Sequence, residues 1–369
     1  GWLVLHNFLM PTRVIAGIGA LRGLPQHIAE LGCRRPVVFS DPVIARTPFF
    51  QCAIEDLRGS RLDHDIVDDC GIDARLTHID RVTGKVLANG NDCVVAIGGG
   101  SVMCTGKGAA LAAANGGALG ALRGRTAFER NPLPMIMVPT TAGSGSEVSQ
   151  WTVLKDDIAH RKFSVGGPQN FPRMAILDPI TLSTLPRSLA AMSAVDALTH
   201  AFEAYFTNLA SPITDSLALE AIRRLMRCLR PSILENDDGA RLENLVAASM
   251  ANMACTNAGL GLCHSLASPL ESEFNVPHPL AVGTLLLRVF PFNAAIAPER
   301  ARNVALAIGL DTEDSGTTIA QRVVEELEKL YDDLGFPTRI ERARVDISGL
   351  REMAMRAVTA IARGKSPDG

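Results

Sequence analysis

Four short runs in the first half of the chain constrain its fold more than any other feature: RPVVFSD at 35–41, DCVVAIGGG at 92–100, PMIMVPTT at 134–141 and MAILDP at 174–179. Each is apolar, rich in β-branched residues or methionine, and runs into a turn. Such runs are strands buried on both faces, and helix-like stretches lie between them, so the alternation predicts βαβ units and a parallel sheet. Near residue 185 the texture changes once. Beyond it SLAAMSAVDALTHAFEAYF, TDSLALEAIRRLMRCLRPSI, ARLENLVAASMANMACTNAGLGLCHSLASPL and DSGTTIAQRVVEELEKLYDDLG are long, apolar-periodic and poor in strands. The expected organisation is an α/β domain with a parallel sheet over residues 1–184 and an all-α domain over 185–369. The segment GAALAAANGGALGALRG at 108–124 is expected to be a packed helix that ends at its glycines. There is no internal repeat.

A chain of 369 residues with 47% hydrophobic and 20% charged residues can bury two cores. The net charge of −3, with no block of Lys or Arg, gives no footprint for nucleic acid or an anionic membrane. No unbroken apolar run approaches the roughly 20 residues of a membrane span. GWLVLHNFLM lacks the basic start and cleavage site of a signal peptide, so a cytoplasmic location is expected. Eight dispersed cysteines with no Cys-x-x-Cys pair are expected to be reduced core residues.

In AIGGGSVMCTGKG, 96–108, a strand meets Gly98, Gly99, Gly100 and Ser101 and then a helix. Glycines let the backbone approach a ligand, and free amides at a helix start bind phosphate oxygens, so this is a candidate pyrophosphate cradle; the alternative is a tight βα turn without a ligand. VPTTAGSGSEVS, 138–149, places Thr140, Thr141, Ser144 and Ser146 after the next strand, where a ligand in the sheet crevice would meet small hydroxyls; the alternative is an ordinary Ser/Thr loop. GIGALRG at 17–23 has the wrong spacing for a dinucleotide fingerprint and is expected to be a turn.

In SAVDALTHAFEAY, Asp196 and His200 are spaced i, i+4, so a helix projects both from one face. A carboxylate among alanine, valine and leucine is costly unless something pairs with it, and a divalent cation is an effective partner. His264 and His278, fourteen residues apart in GLCHSLASPLESEFNVPH, would complete an Asp/His/His/His set. The alternative is an Arg partner for Asp196 and histidines satisfied in the core. One hard oxygen and three borderline nitrogens suit Fe(II), Zn(II), Mn(II) or Co(II), not Mg or Ca. His6, His27, His64 and His160 are expected at the surface.

GGGSVMCTGK, PTTAGSGSE, RKFSVGG…ILDP, VDALTHAFEAY, NAGLGLCHS and NVPH follow in an order and spacing that resembles the iron-dependent (group III) alcohol dehydrogenases, most of all the lactaldehyde reductase/1,2-propanediol dehydrogenase branch. The resemblance runs from about Pro11 to about Asn293. It implies a Rossmann-like α/β domain binding NAD(P), a helical domain holding the metal and an active site in the cleft between them. The implied activity is hydride transfer between NAD(H) and a small alcohol or aldehyde, in a homodimer or larger assembly. The implied metal ligands are Asp196, His200, His264 and His278, for iron or, alternatively, zinc. Gly99, Gly100 and Ser101 would hold the pyrophosphate, Thr140, Thr141 and Ser144 would lie beside the cofactor, and Val153, Lys162 and Leu177 would line its ribose and nicotinamide. Asp41, ending the PVVFSD run, matches an acidic position that favours NAD over NADP, because a carboxylate repels a 2′-phosphate; the alternative is a strand-ending turn residue.

Three positions depart from the family pattern. Cys104 stands where it has Asp, Pro279 where it has Gly, and Ser268 where it has the His of a His-x-x-x-His-Pro motif. Ser268 therefore occupies the catalytic, proton-relay position with a poor acid or base, and water and the cofactor ribose, weak turnover or a different substrate would follow. The chain stops at GKSPDG, short of the family's usual terminal helix. A metal-independent reductase or lyase on the same scaffold, like maleylacetate reductase or dehydroquinate synthase, and a non-catalytic NAD- and metal-binding homologue remain the alternatives.

Overall fold

The computed structural model describes residues 5–343 apart from 312 and 314, together with 349, 352, 355, 356 and 359; GKSPDG lies outside them. The chain divides into two compact units, one spanning Leu9–Leu185 and one that joins the N-terminal residues up to Phe8 to the chain from Pro186 onward.

The first unit carries β1 (Arg13–Ala16), α1 (Leu24–Glu30), β2 (Pro36–Phe39), α2 (Pro48–Gly59), β3 (Asp65–Val67), α3 (Leu76–Asn89), β4 (Cys93–Gly98), α4 (Gly100–Ala114), β5 (Met135–Pro139), β6 (Trp151–Asp156), β7 (Arg161–Gly166) and β8 (Met174–Leu177). Six strands form a sheet in the order β1-β8-β5-β4-β2-β3, and every pairing is parallel. All four strands expected from the sequence are present, as β2, β4, β5 and β8. Alternate residues feed two cores. Val38, Val95, Ile97, Ile136, Val138 and Ile176 pack under α1 and α2, while Val37, Phe39, Val94, Ala96 and Met137 pack under α3 and α4. From β2 the chain moves outward to β3, then returns past β2 to β4 and continues to β5. The loops after β2 and β4 thus diverge, and a crevice opens at such a reversal beyond the carboxyl ends of the strands.

α4 ends at Asn115 and is followed by Gly116 and Gly117 at positive φ, as the Ala/Gly-rich segment predicts. GIGALRG is a turn leading into a short 3-10 helix. β6 and β7 make a separate antiparallel pair. His27, expected at the surface, is instead buried: it lies on α1, which turns its ring back over Gly23 and toward Glu30. All eight cysteines are unbridged and six are buried.

The second unit is helical throughout its regular elements: α5 (Arg187–Tyr205), α6 (Pro212–Leu234), α7 (Asp238–Ala258), α8 (Leu262–Phe274), α9 (His278–Ile296), α10 (Pro298–Ala307) and α11 (Gly316–Leu334). α5 is enclosed almost all round, packed against α6, α7 and α9. The segment that reads as one helix at 240–270 is two, α7 and α8, bent by 97° where Gly259 takes φ 80°. By length and mean hydropathy α9 could cross a membrane, which a search for unbroken apolar runs does not anticipate. Leu280, Ala281, Val282, Leu286, Leu287 and Phe290 are buried inside the helical unit, so its apolarity is spent on the core.

Candidate functional site

The helical unit brings Asp196, His200, His264 and His278 together, with one potential ligand atom from each within 4.8 Å of every other. Asp196 and His200 project from one face of α5, His264 is the third residue of α8, and His278 opens α9. The His264 ring lies 5.2 Å from that of His200 and 5.1 Å from that of His278. Asp196 Oδ1 sits 3.3 Å from His200 Nε2 and 3.3 Å from His278 Nε2. Neither approach has hydrogen-bond geometry, which leaves Asp196 Oδ1 without a hydrogen-bond partner, and buried His264 Nε2 and His200 Nδ1 have none either. Orphaned buried polar atoms are costly and rare, and Asp196 Oδ1 and His264 Nε2, in a cluster where His200 and His278 turn Nε2 toward Asp196, fit a bound cation. The donor set of one carboxylate oxygen and three imidazoles fits iron or zinc.

The four groups set one another's charges. Burial pushes the His200 pKa down to about 4, leaving a neutral imidazole with a lone pair to give. Burial would raise the Asp196 carboxyl, but His200 and His278 outweigh it and hold the pKa near about 2. Burial opposes a charge on His278, yet Asp196 and Glu271 raise its pKa to about 10, so this ring holds a proton that a cation would have to displace.

Two carboxylates that the sequence does not single out orient two of these imidazoles. Glu203, buried on α5, accepts from His264 Nδ1 at 2.8 Å, His264 N at 3.0 Å and Cys263 N at 3.2 Å. α8 has no side-chain cap of its own, so Glu203 caps its first turn from another helix while fixing the His264 tautomer. Gly261 makes room for it: a Cβ there would lie 2.6 Å from Glu203 Oε2. Glu271 on α8 does the same for His278, with Oε1 3.0 Å from Nδ1. The available signal for Glu203 was a second carboxylate in the apolar α5 segment, three residues after His200.

Ser268 lies one turn beyond His264 on α8, partly buried. Pro279 is the second residue of α9, where its missing N–H and fixed φ cost nothing.

In the α/β unit the ends of β2, β4 and β5 gather Asp41, the glycine turn and the hydroxyl loop. Thr140 N donates to Gly98 O at 3.0 Å, and Ser40 Oγ to Ile97 O at 2.8 Å, tying the three strand ends. α4 starts at Gly100 with no side-chain cap, leaving its first amides for an anion. A Cβ on Gly100 would stand 3.0 Å from Ser144 Oγ, and one on Gly99 3.6 Å from Thr141 Cγ2, so side chains there would fill the cradle. Ser101 Oγ donates to Gly71 O at 2.9 Å, which occupies its hydroxyl proton with the loop after β3. Asp41 Oδ1 accepts from Val43 N at 2.9 Å and Ile44 N at 2.7 Å, a turn-capping role beside which Oδ2 remains for a ligand. Val153 and Lys162 are exposed on the β6–β7 hairpin, and Leu177 is enclosed at the end of β8.

Comparison with known proteins covers both units. The family model described as iron-containing alcohol dehydrogenase matches residues 11–179, and that described as Fe-containing alcohol dehydrogenase family, C-terminal, matches residues 190–368. Choline dehydrogenase of Bacillus subtilis (strain 168) is 30% identical over 344 residues, covering 91% of this chain and 85% of its own. Lactaldehyde reductase of Escherichia coli (strain K12) is 29% identical over 354 residues, covering 95% and 92%. The crystal structure of a 1,3-propanediol oxidoreductase superposes with a TM-score of 0.91 at 28% identity, covering 99% of this chain and 96% of its own.

Proposed function

Because the chain belongs to the iron-containing alcohol dehydrogenase family, we propose that it transfers a hydride between NAD(H) and a small primary alcohol or aldehyde. The observation that carries this reading is the four-residue cluster of Asp196, His200, His264 and His278, in which buried Asp196 Oδ1 and His264 Nε2 have no hydrogen-bond partner. When bound, Fe(II), or Zn(II) in its place, supplies a Lewis acid for the substrate oxygen, and NAD supplies the hydride acceptor or donor.

The chain's own residues do the holding and orienting. Asp196 and the three imidazoles are the ligand set, with Glu203 and Glu271 keeping His264 and His278 turned toward it. Gly99, Gly100 and the amide of Ser101 are assigned to the pyrophosphate, and Thr140, Thr141 and Ser144 to its flank. Asp41 keeps one oxygen for ribose hydroxyls, and its charge opposes a 2′-phosphate, which favours NAD over NADP. Val153, Lys162 and Leu177 are assigned to the ribose and nicotinamide. Ser268 is a poor acid or base near neutral pH, so the alcohol proton is assigned to water and the cofactor ribose, and the small serine leaves room for substrate. The relatives are named for choline, lactaldehyde and 1,3-propanediol, and the substrate of this chain is sought among small molecules of that kind. A homodimer or larger homo-oligomer in the cytoplasm completes the reading.

The test is an NADH-absorbance screen over small alcohols and aldehydes on protein reconstituted with Fe(II) or Zn(II), beside metal analysis of Asp196→Ala and His264→Ala. Turnover by the wild type, with loss of both metal and turnover in the variants, is expected. Full activity in a metal-free variant would overturn the assignment.

A further inference from the structure

α4 carries a lysine with no exposed surface, Lys107. An ammonium in such a place is costly unless its donors are met. One loop meets all three. Nζ donates to Ser149 O at 2.9 Å, Ser146 O at 3.0 Å and Ser146 Oγ at 3.3 Å.

That loop continues the segment holding Thr140, Thr141 and Ser144. Gly145 reverses it at φ 70°, Ser146–Val148 form a 3-10 turn, and Ser149 Oγ accepts from Trp151 N at the start of β6. At its other end Ser144 rests against the first turn of α4, with its Oγ 3.0 Å from where a Gly100 Cβ would stand. α4 therefore grips the loop at two points, Gly100 and Lys107, which are seven residues and about 10 Å apart along the helix. With all three donors given to the loop, Nζ has none left for an anion at the helix start and acts through the loop. Burial opposes the charge of the ammonium, and Glu147 on the loop supports it.

We propose that Lys107 is a positioning residue for the nucleotide: by holding Ser146 and Ser149 it keeps Ser144 and Thr141 against the glycine turn that receives the pyrophosphate. This rests on reading that crevice as the NAD site. A methionine would fill the space of the lysine stem without burying a charge, but it would release the loop.

The experiment uses the full-length, metal-loaded protein and compares wild type with Lys107→Met by NADH fluorescence titration, by KM for NAD against kcat, and by thermal unfolding. The expected result is a rise of about tenfold or more in the NADH Kd and the KM for NAD, with kcat at saturating NAD within about threefold of wild type. An unchanged NADH Kd in Lys107→Met would overturn the inference, even if the melting temperature falls. If Lys107→Met does not fold, Lys107→Gln, which keeps one donor group, is judged by the same Kd. Wild-type protein that fails to bind NADH removes the nucleotide reading and this inference together; wild-type binding that Lys107→Met matches removes this inference alone.

Discussion

Replacing Glu203 by glutamine changes almost no volume yet leaves the side chain unable to meet its three donors. The carboxylate accepts from the His264 ring and from the amides of His264 and Cys263. A glutamine has one accepting oxygen and one donating NH2 group. If the oxygen takes the place of Oε2, it meets only Cys263 N, and the NH2 faces both the His264 amide and His264 Nδ1, which must then accept. The ring proton moves to Nε2, and the lone pair directed at Asp196 and His200 is lost. If the oxygen faces the ring, the NH2 confronts an amide donor at the start of α8. Either way a buried donor is opposed by another donor, at a cost of about 1–3 kcal/mol. Loss of such an orienting partner lowers metal affinity by about 10- to 100-fold.

The assay is a competition titration of Zn(II) or Co(II) against a chromophoric chelator, run on the purified full chain. Thermal unfolding is followed with and without metal. Without metal, Glu203→Gln should melt about 2–12 °C lower, since 1 kcal/mol corresponds to about 2–4 °C for a unit of this size. With metal the gap should widen, because the native state also binds less tightly. Gly261→Ala approaches the same point from the other side, since its Cβ would lie 2.6 Å from Glu203 Oε2 and push the carboxylate off the helix start. Wild-type metal affinity in Glu203→Gln would refute the claim that this carboxylate sets the His264 tautomer.

Ser268→His places an imidazole one turn beyond His264 and fills the space assigned to substrate; the NADH-linked screen should then shift toward smaller alcohols, and an unchanged profile would count against that assignment. For Lys107, burial lowers the native pKa to about 8 from the ordinary 10.5. Between those values the unfolded chain holds a proton that the native chain has released, so stability rises with pH across that window, and below about 8 the charged form bears the full burial cost. Urea unfolding at about pH 7 and about pH 10 should therefore show wild type gaining on Lys107→Met by about 2–3 kcal/mol, whereas a constant difference would mean that Lys107 titrates normally.

What the sequence makes legible follows from how each element is buried. β2, β4, β5 and β8 are covered on both faces, so each is an unbroken apolar run. β1 and β3 lie at the sheet edges, are three or four residues long and are partly exposed, which leaves little pattern to read. β6 hides itself more actively: it turns Trp151 and Val153 outward and buries Thr152, so its polarity does not alternate as a half-buried strand should.

The four residues of the candidate metal site divide in the same way. Asp196 and His200 share one helix face, and their i, i+4 spacing is visible without a structure. His264 and His278 have no such local encoding. The break at Gly259 puts His264 in the first turn of α8, and the Glu203 that caps this turn lies 61 residues earlier in the chain. A carboxylate in an apolar helix can be a ligand, an ion-pair partner or a remote cap, and composition alone does not separate these roles. Only when the helix start it faces is known does Glu203 become a group that orients a ligand, and then the same three hydrogen bonds explain why Gly261 has no side chain and why His264 Nε2 is left for the cation.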